Sequence, residues 1–201
     1  MDGPTLAVGK PRGERADAAR NRILLLDTAR ELMAEQGADK VTMDGLAARA
    51  GLGKGTVFRR FGSRAGIFQA LLDDEERALQ QEILSGKPPL GPGAPPLERL
   101  VAYGRARVEF LFEHREIARA SLDGGQPIPA GNELPVSRLH IRMLLGLLKP
   151  AVADLDVLAV QLAAALDGPL LLMLPVTGAD VTRTRDQLAR GWTELVERVC
   201  G

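Results

Sequence analysis

Residues 42–61 read TMDGLAARAGLGKGTVFRRF, and the fold of the first third of the chain turns on the glycine cluster at 51–56, GLGKGT. Glycines beside a lysine and a threonine can cradle a nucleotide phosphate, or they can form a tight turn between two short helices. A phosphate loop requires G-x-x-x-x-G-K-[ST], but Gly55 follows Lys54 and Ala48 stands at the first glycine position. A dinucleotide fingerprint requires a preceding strand and a third glycine three positions after the second. Here 43–50 has helical spacing and Thr56 occupies the third position. Both phosphate readings lack their context.

The turn reading meets its own requirements. The Thr42 hydroxyl can accept from an orphan N–H at a helix start, and Asp44 suits the positive helix end. Leu46, Ala47 and Ala50 form an inner face before Gly51 stops the helix. In the next helix Val57 and Phe61 turn inward, leaving Lys54, Thr56, Arg59 and Arg60 outward. Two short helices joined by a glycine-containing turn form the helix-turn-helix layout, whose second helix enters the DNA major groove. Arginine can fork onto guanine O6 and N7, while lysine, threonine and helix N-termini hold phosphates. Positions 51–72 contain no Asp or Glu, which favours an anionic partner over a merely solvated hairpin.

Working outward, Leu25, Leu26, Ala29, Leu32 and Met33 recur at helical spacing from about Asp17 onward, with Gly37 as the stop. Residues 1–16 lack periodicity and read as a mobile basic arm. Ser63 can cap a fourth helix over 63–85, with Ile67, Phe68, Leu71, Leu72, Leu79 and Ile83 on one stripe. The stretch 85–96, SGKPPLGPGAPP, holds five prolines and reads as a linker. Helices are expected over 97–122, about 136–148, 154–174 and 180–200, with a loop at 123–135. No strand or repeat is evident, so the fold is all-α: a small head and a larger body.

Composition agrees. Aromatics make up 3% of 201 residues, and the excess of unbranched Leu and Ala favours helix. Net charge is zero, yet residues 1–66 hold 12 Lys/Arg against 8 Asp/Glu, and 67–201 hold 14 against 18. A basic front on an acidic body points to an anionic partner for the front. The single cysteine, Cys200, cannot form an internal disulfide, which fits a reducing cytoplasm. The N-terminus has no signal-like apolar run. The apolar stretch 158–176 is broken by Gln161, Asp167, Gly168, Pro169 and Pro175, which argues against a membrane span. His114 and His140 are not at metal-ligand spacing, and no G-x-S-x-G, H-E-x-x-H or C-x-x-C occurs. No catalytic residue, metal or cofactor is expected, and the protein is read as a non-enzyme. An enzyme hidden in the body, or an adaptor of the same fold, is the alternative.

The stretch from Arg22 to Leu72 resembles the DNA-binding domain of TetR-family transcriptional regulators. The matching segments are LLDTARELMAEQG at 25–37, VTMDGLAARAGLGKGTVFRRF at 41–61 and SRAGIFQALL at 63–72. The resemblance implies a three-helix DNA-binding head over 17–62, extending to about 78, and a ligand-binding, dimerising body over 63–201. It implies a homodimer on a palindromic operator, a repressor or activator that responds to a small hydrophobic effector. Carried across, Thr42 caps helix two near a phosphate, and Gly53, Lys54, Gly55 and Thr56 open the recognition helix. Arg59 and Arg60 lie on its exposed side, and Arg64 meets backbone phosphate. Phe58 stands where the family commonly has a tyrosine, and Gly53 replaces a frequent serine, so a hydroxyl contact and a cap are both missing. Lys10, Arg12, Arg15, Arg20 and Arg22 of the arm can follow the DNA backbone. Ligand-lining candidates are Tyr103, Arg107, Phe110, His114, His140, Met143 and Met173. Dimer candidates are Leu158, Leu162, Leu166, Leu188, Trp192, Leu195 and Val199. Helix four is the expected lever between body and head.

Overall fold

Local signals set most of the helix boundaries. The computed structural model describes residues 12–122, 136–151, 154–173 and 180–201, which hold nine α-helices and no strand. The expected loop at 123–135 and Lys10 lie outside the described residues. The chain divides into two compact units, one reaching Ala70 and one beginning at Leu71.

In the first unit, the head, α1 spans Arg12–Gln36. It starts five residues before the expected boundary, so Arg12 and Arg15 belong to a helix rather than to the arm. Gly37 closes it, donating its N–H to Met33 O at 2.9 Å. A short 3-10 turn, Ala38–Lys40, leads to α2, Met43–Ala50, and α3, Lys54–Phe61. Thr42 has extended backbone and accepts from Gly45 N at 3.0 Å, the expected cap. Gly51 sits at φ 66° and ψ 26°, and Leu52 N donates back to Ala47 O at 3.0 Å. Only glycine takes this left-handed turn without strain. Leu25, Leu26, Leu46, Val57, Ile67 and Phe68 are buried, each contributing roughly 1.5–3 kcal/mol.

In the second unit, the body, α4 (Arg64–Ser85) continues from the head. Turns over the proline-rich stretch follow, then α5, Pro96–Glu113, and α6, Arg115–Leu122. The helix expected over 97–122 is therefore two, broken at His114 with φ −100° and ψ 19°. No Pro or Gly marks that break. Packing decides it, since Ile117, Ala118 and Ala120 are all buried beyond it. The remaining helices are α7, Val136–Leu148, α8, Leu155–Met173, and α9, Asp180–Cys200. Asp154 caps α8 by accepting from Asp156 N at 2.8 Å and Val157 N at 3.1 Å.

Helix α5 is the centre of the body and packs on α7, α8 and α9. Leu100, Tyr103, Ile141, Leu144, Leu162 and Trp192 belong to one core. Trp192 donates its indole N–H to Leu100 O at 3.1 Å. A Cβ at Gly104 would lie 2.0 Å from Trp192 Nε1, so the missing side chain is what lets α9 seat its tryptophan against α5. Among the described residues no helix is long and apolar enough to cross a membrane.

Candidate nucleic-acid interface

The 3.6-residue period of α3 sets Gly55 and Arg59 opposite the buried Val57 and Phe61. Thr56 lies beside them, and the Arg59 guanidinium donates to Thr56 Oγ1 at 3.3 Å. Gly53 opens α3 without a side-chain cap, as the missing serine implied. Lys54 Nζ is 2.7 Å from Asp44 Oδ2, with both side chains largely exposed. An exposed pair of this kind is worth about 0–1 kcal/mol, so it holds the turn only lightly. Phe58 is 64% exposed, an uncovered aromatic ring on the flank of the helix.

Two arginines make contacts that spacing did not signal. Arg60 is exposed, as expected, and also donates to Ala18 O on α1. Arg64 donates from Nε to Val41 O at 2.9 Å and from Nη2 to Ala38 O at 2.7 Å. Its guanidinium also lies 4.9 Å from the Phe68 ring centroid. Arg64 thus ties the start of α4 to the segment before α2, so a guanidinium expected on phosphate is largely occupied inside the head. Sequence reading also missed Arg49, which bridges α2 to Glu35 on α1 with Nη1 3.1 Å from Oε2. A charge pair 14 residues apart leaves no periodic signal. In the arm, Arg20 pairs with Asp17 and Arg22 is half-buried; the side chains of Arg12 and Arg15 lie outside the described set.

The expected ligand residues fall into three groups. Tyr103 and His140 are buried against each other at a tilt of 56°, with ring centroids 5.1 Å apart. Arg107 is 11% exposed and stands 3.1 Å from both Glu76 on α4 and Asp167 on α8. Burial works against its charge, and the two carboxylates outweigh it. Phe110 is buried with half-buried His114 against it at 4.6 Å between ring centroids, whereas Met143 is 46% exposed, away from any interior pocket. The Met173 side chain lies outside the described residues. A surface cleft of about 520 Å³ beside α5, lined by Leu97, Val101, Ala102, Arg105 and Glu197, contains none of the expected set.

The expected dimer stripe turns out to serve the body's own core. Leu162, Leu166 and Trp192 are buried within the single chain, and Leu158 and Leu188 pack against them. Val199 is half-buried, and of the stripe Leu195 is exposed. Among the described residues of α8, the exposed large apolar side chains are Val157 and Val160. Periodicity identifies the most apolar face of a helix but does not say whether its partner belongs to the same chain.

The arrangement in the head, with two short helices, a left-handed glycine turn and an acid-free outward face on the second, is a helix-turn-helix, the layout whose second helix enters the DNA major groove in proteins that use it. Residues 25–71 match the family model for bacterial regulatory proteins of the tetR family. It is 33% identical over 72 residues to the DNA-binding transcriptional repressor TetR of Mycobacteroides abscessus, covering 36% of this chain and 35% of that protein. It is 31% identical over 69 residues to an uncharacterized HTH-type transcriptional regulator, TtgW, of Pseudomonas putida, covering 34% of this chain and 52% of that one. The chain thus spans between a third and about half of these relatives. In fold it is similar to a TetR-family transcriptional regulator from Pectobacterium atrosepticum, with a TM-score of 0.66 and 22% identity over 95% of this chain and 98% of that one.

Proposed function

We propose that the protein is a homodimeric, cytoplasmic repressor. Each head places α3 in the major groove of a twofold-symmetric operator, and a small, largely apolar effector in the body releases it. The observation that carries this reading is the outward face of α3. Gly55 and Arg59 stand exposed opposite Val57 and Phe61, with half-buried Thr56 beside them and no acid on that helix.

Gly55 allows the backbone close to the base edges, and Arg59 supplies a fork for guanine. Thr42, Lys54 and the free N–H groups at the start of α3 meet phosphates, which fixes register. The exposed Val157, Val160 and Leu195 support a second copy packing on α8 and α9. Two heads so paired meet half-sites about 34–36 Å apart, or a multiple. An effector that binds one spacing of the heads better than the other lowers operator affinity by shifting populations. Helix α4, shared by head and body, connects the two events.

The test is fluorescence anisotropy with a labelled duplex taken from upstream of the protein's own gene and a scrambled duplex as control. Wild type is expected to prefer the upstream duplex by at least about tenfold, with affinity falling steeply as salt rises. Arg59→Ala is expected to lose about 1–3 kcal/mol and most of that preference. Equal affinity of wild type for both duplexes would sink the reading. A monomeric mass at micromolar concentration would remove the dimer from it.

A further inference from the structure

Among the described residues, the buried side-chain polar atoms without a hydrogen-bond partner are Arg99 Nε, Tyr103 Oη and His140 Nε2. They are neighbours. Arg99 and Tyr103 stand one turn apart on α5, and His140 on α7 stacks at a tilt against Tyr103. Burial, and then the charge of Arg99, pushes the His140 imidazole down to about 4, so it is neutral near pH 7. Burial likewise pushes the Tyr103 hydroxyl up to about 12, so it keeps its proton. Ser137, beside that hydroxyl on α7, acts in the opposite direction to burial but does not outweigh it.

An unpaired buried polar group costs about 1–3 kcal/mol, and more where charge is involved. Three such groups side by side, within a core that holds Leu100, Ile141 and Leu144, call for a shared partner. Their chemistry narrows what it is. A guanidinium only donates, a protonated phenol donates, and a neutral imidazole donates from whichever nitrogen holds the proton. No carboxylate pairs with Arg99 among the described residues. Glu76 on α4 and Asp167 on α8 are already held by Arg107, and Glu98, next to Arg99 on α5, is exposed. One guanidinium edge with two neutral donors fits a monoanion better than a phosphate, which carries more charge and more acceptor oxygens.

We propose that Arg99, Tyr103 and His140 form the recognition end of a body site for a small apolar carboxylic acid. The carboxylate accepts from Arg99 Nε, Tyr103 Oη and the protonated Nε2 of His140. The apolar remainder lies among the core residues around Leu100, Ile141 and Leu144. This deepens the effector reading above and depends on it only for release from DNA.

The test therefore measures binding without DNA. Full-length protein is titrated with sodium hexanoate, octanoate and benzoate, each against its own primary amide. Calorimetry and the emission of Trp192, the sole tryptophan, are the readouts. At least one acid is expected to bind, with its amide weaker by about tenfold or more, the size of one lost charge-assisted contact. Arg99→Gln is expected to weaken the acid by about tenfold and leave the amide unchanged. Tyr103→Phe, which keeps the ring and the packing, is expected to weaken the acid by about threefold to tenfold. It also serves as the working variant if Arg99→Gln does not fold by circular dichroism. Failure of every acid to bind the folded protein at millimolar concentration overturns the proposal, as does an amide that binds as tightly as its acid. Operator binding that persists while no acid binds removes this site and leaves the regulator reading intact. Loss of specific operator binding in untreated protein does the reverse.

Discussion

The head and the body solve the same problem in different ways. In the head, polar side chains are spent on tying helices together: Arg49 reaches Glu35, Arg64 reaches Ala38 O and Val41 O, and Thr42 caps α2. In the body, α5 carries a polar stripe of Arg99, Tyr103 and Arg107 into an apolar core. Arg107 alone of the three finds carboxylates there, and Arg99 Nε and Tyr103 Oη are left without a partner. Internal satisfaction in the head holds the outward face of α3 in one geometry. A core with unmet donors is less stable than it could be, and it gains stability from whatever meets them. The proposed division of roles, a head that holds its shape and a body that responds, rests on this contrast.

Acid is expected to break the comparison most strongly. The folded pKa of His140 is depressed to about 4 from 6.5, so the unfolded chain binds the extra proton first as pH falls. Its contribution to stability is whole above about pH 6.5 and is lost progressively on acidification toward pH 4. The full effect is on the order of 3 kcal/mol. Urea unfolding followed by Trp192 emission, which reports on the body, should show this loss, and His140→Gln should flatten it. A His140→Gln protein with the same acid-side slope as wild type would remove His140 as its source.

Filling the space at Gly104 is expected to come next. Gly104→Ala forces a methyl against the Trp192 indole, and overpacking of this kind costs about 1–3 kcal/mol. The urea midpoint read from Trp192 should fall, while operator affinity of the still-folded protein should hold, since the head is a separate compact unit. An unchanged midpoint would show that α9 can shift without cost. The smallest effect belongs to the head. Thr42→Ala removes the acceptor for Gly45 N and should cost about 1 kcal/mol, seen as faster amide hydrogen exchange in α2 with Trp192 emission unaltered.

The head was the more legible unit, for a physical reason. Its signals are local: a cap at Thr42, a left-handed stop at Gly51, and Val57 and Phe61 one turn apart. Each acts within a few residues, so spacing alone reveals it. The parts of the site that escaped notice are nonlocal. Arg64 finds carbonyls 23 and 26 positions away, and Arg60 meets a carbonyl 42 positions away. Nothing in the order of residues marks which carbonyls those arginines reach. In the body the stripe through Leu162, Leu166 and Trp192 was legible as apolar, but its partner was not. The break at His114 left no trace, because neither Pro nor Gly is needed to interrupt a helix when both halves have a core to bury against.

The sequence by itself determined the all-α class, the helix-turn-helix and its acid-free outward face, because capping, turn chemistry and periodicity are properties of neighbouring residues. Only the tertiary structure decided which arginines tie the head's helices together and which apolar stripe fills the core. It also decided that Arg99, Tyr103 and His140 meet, because burial and unmet hydrogen bonds depend on how distant helices pack.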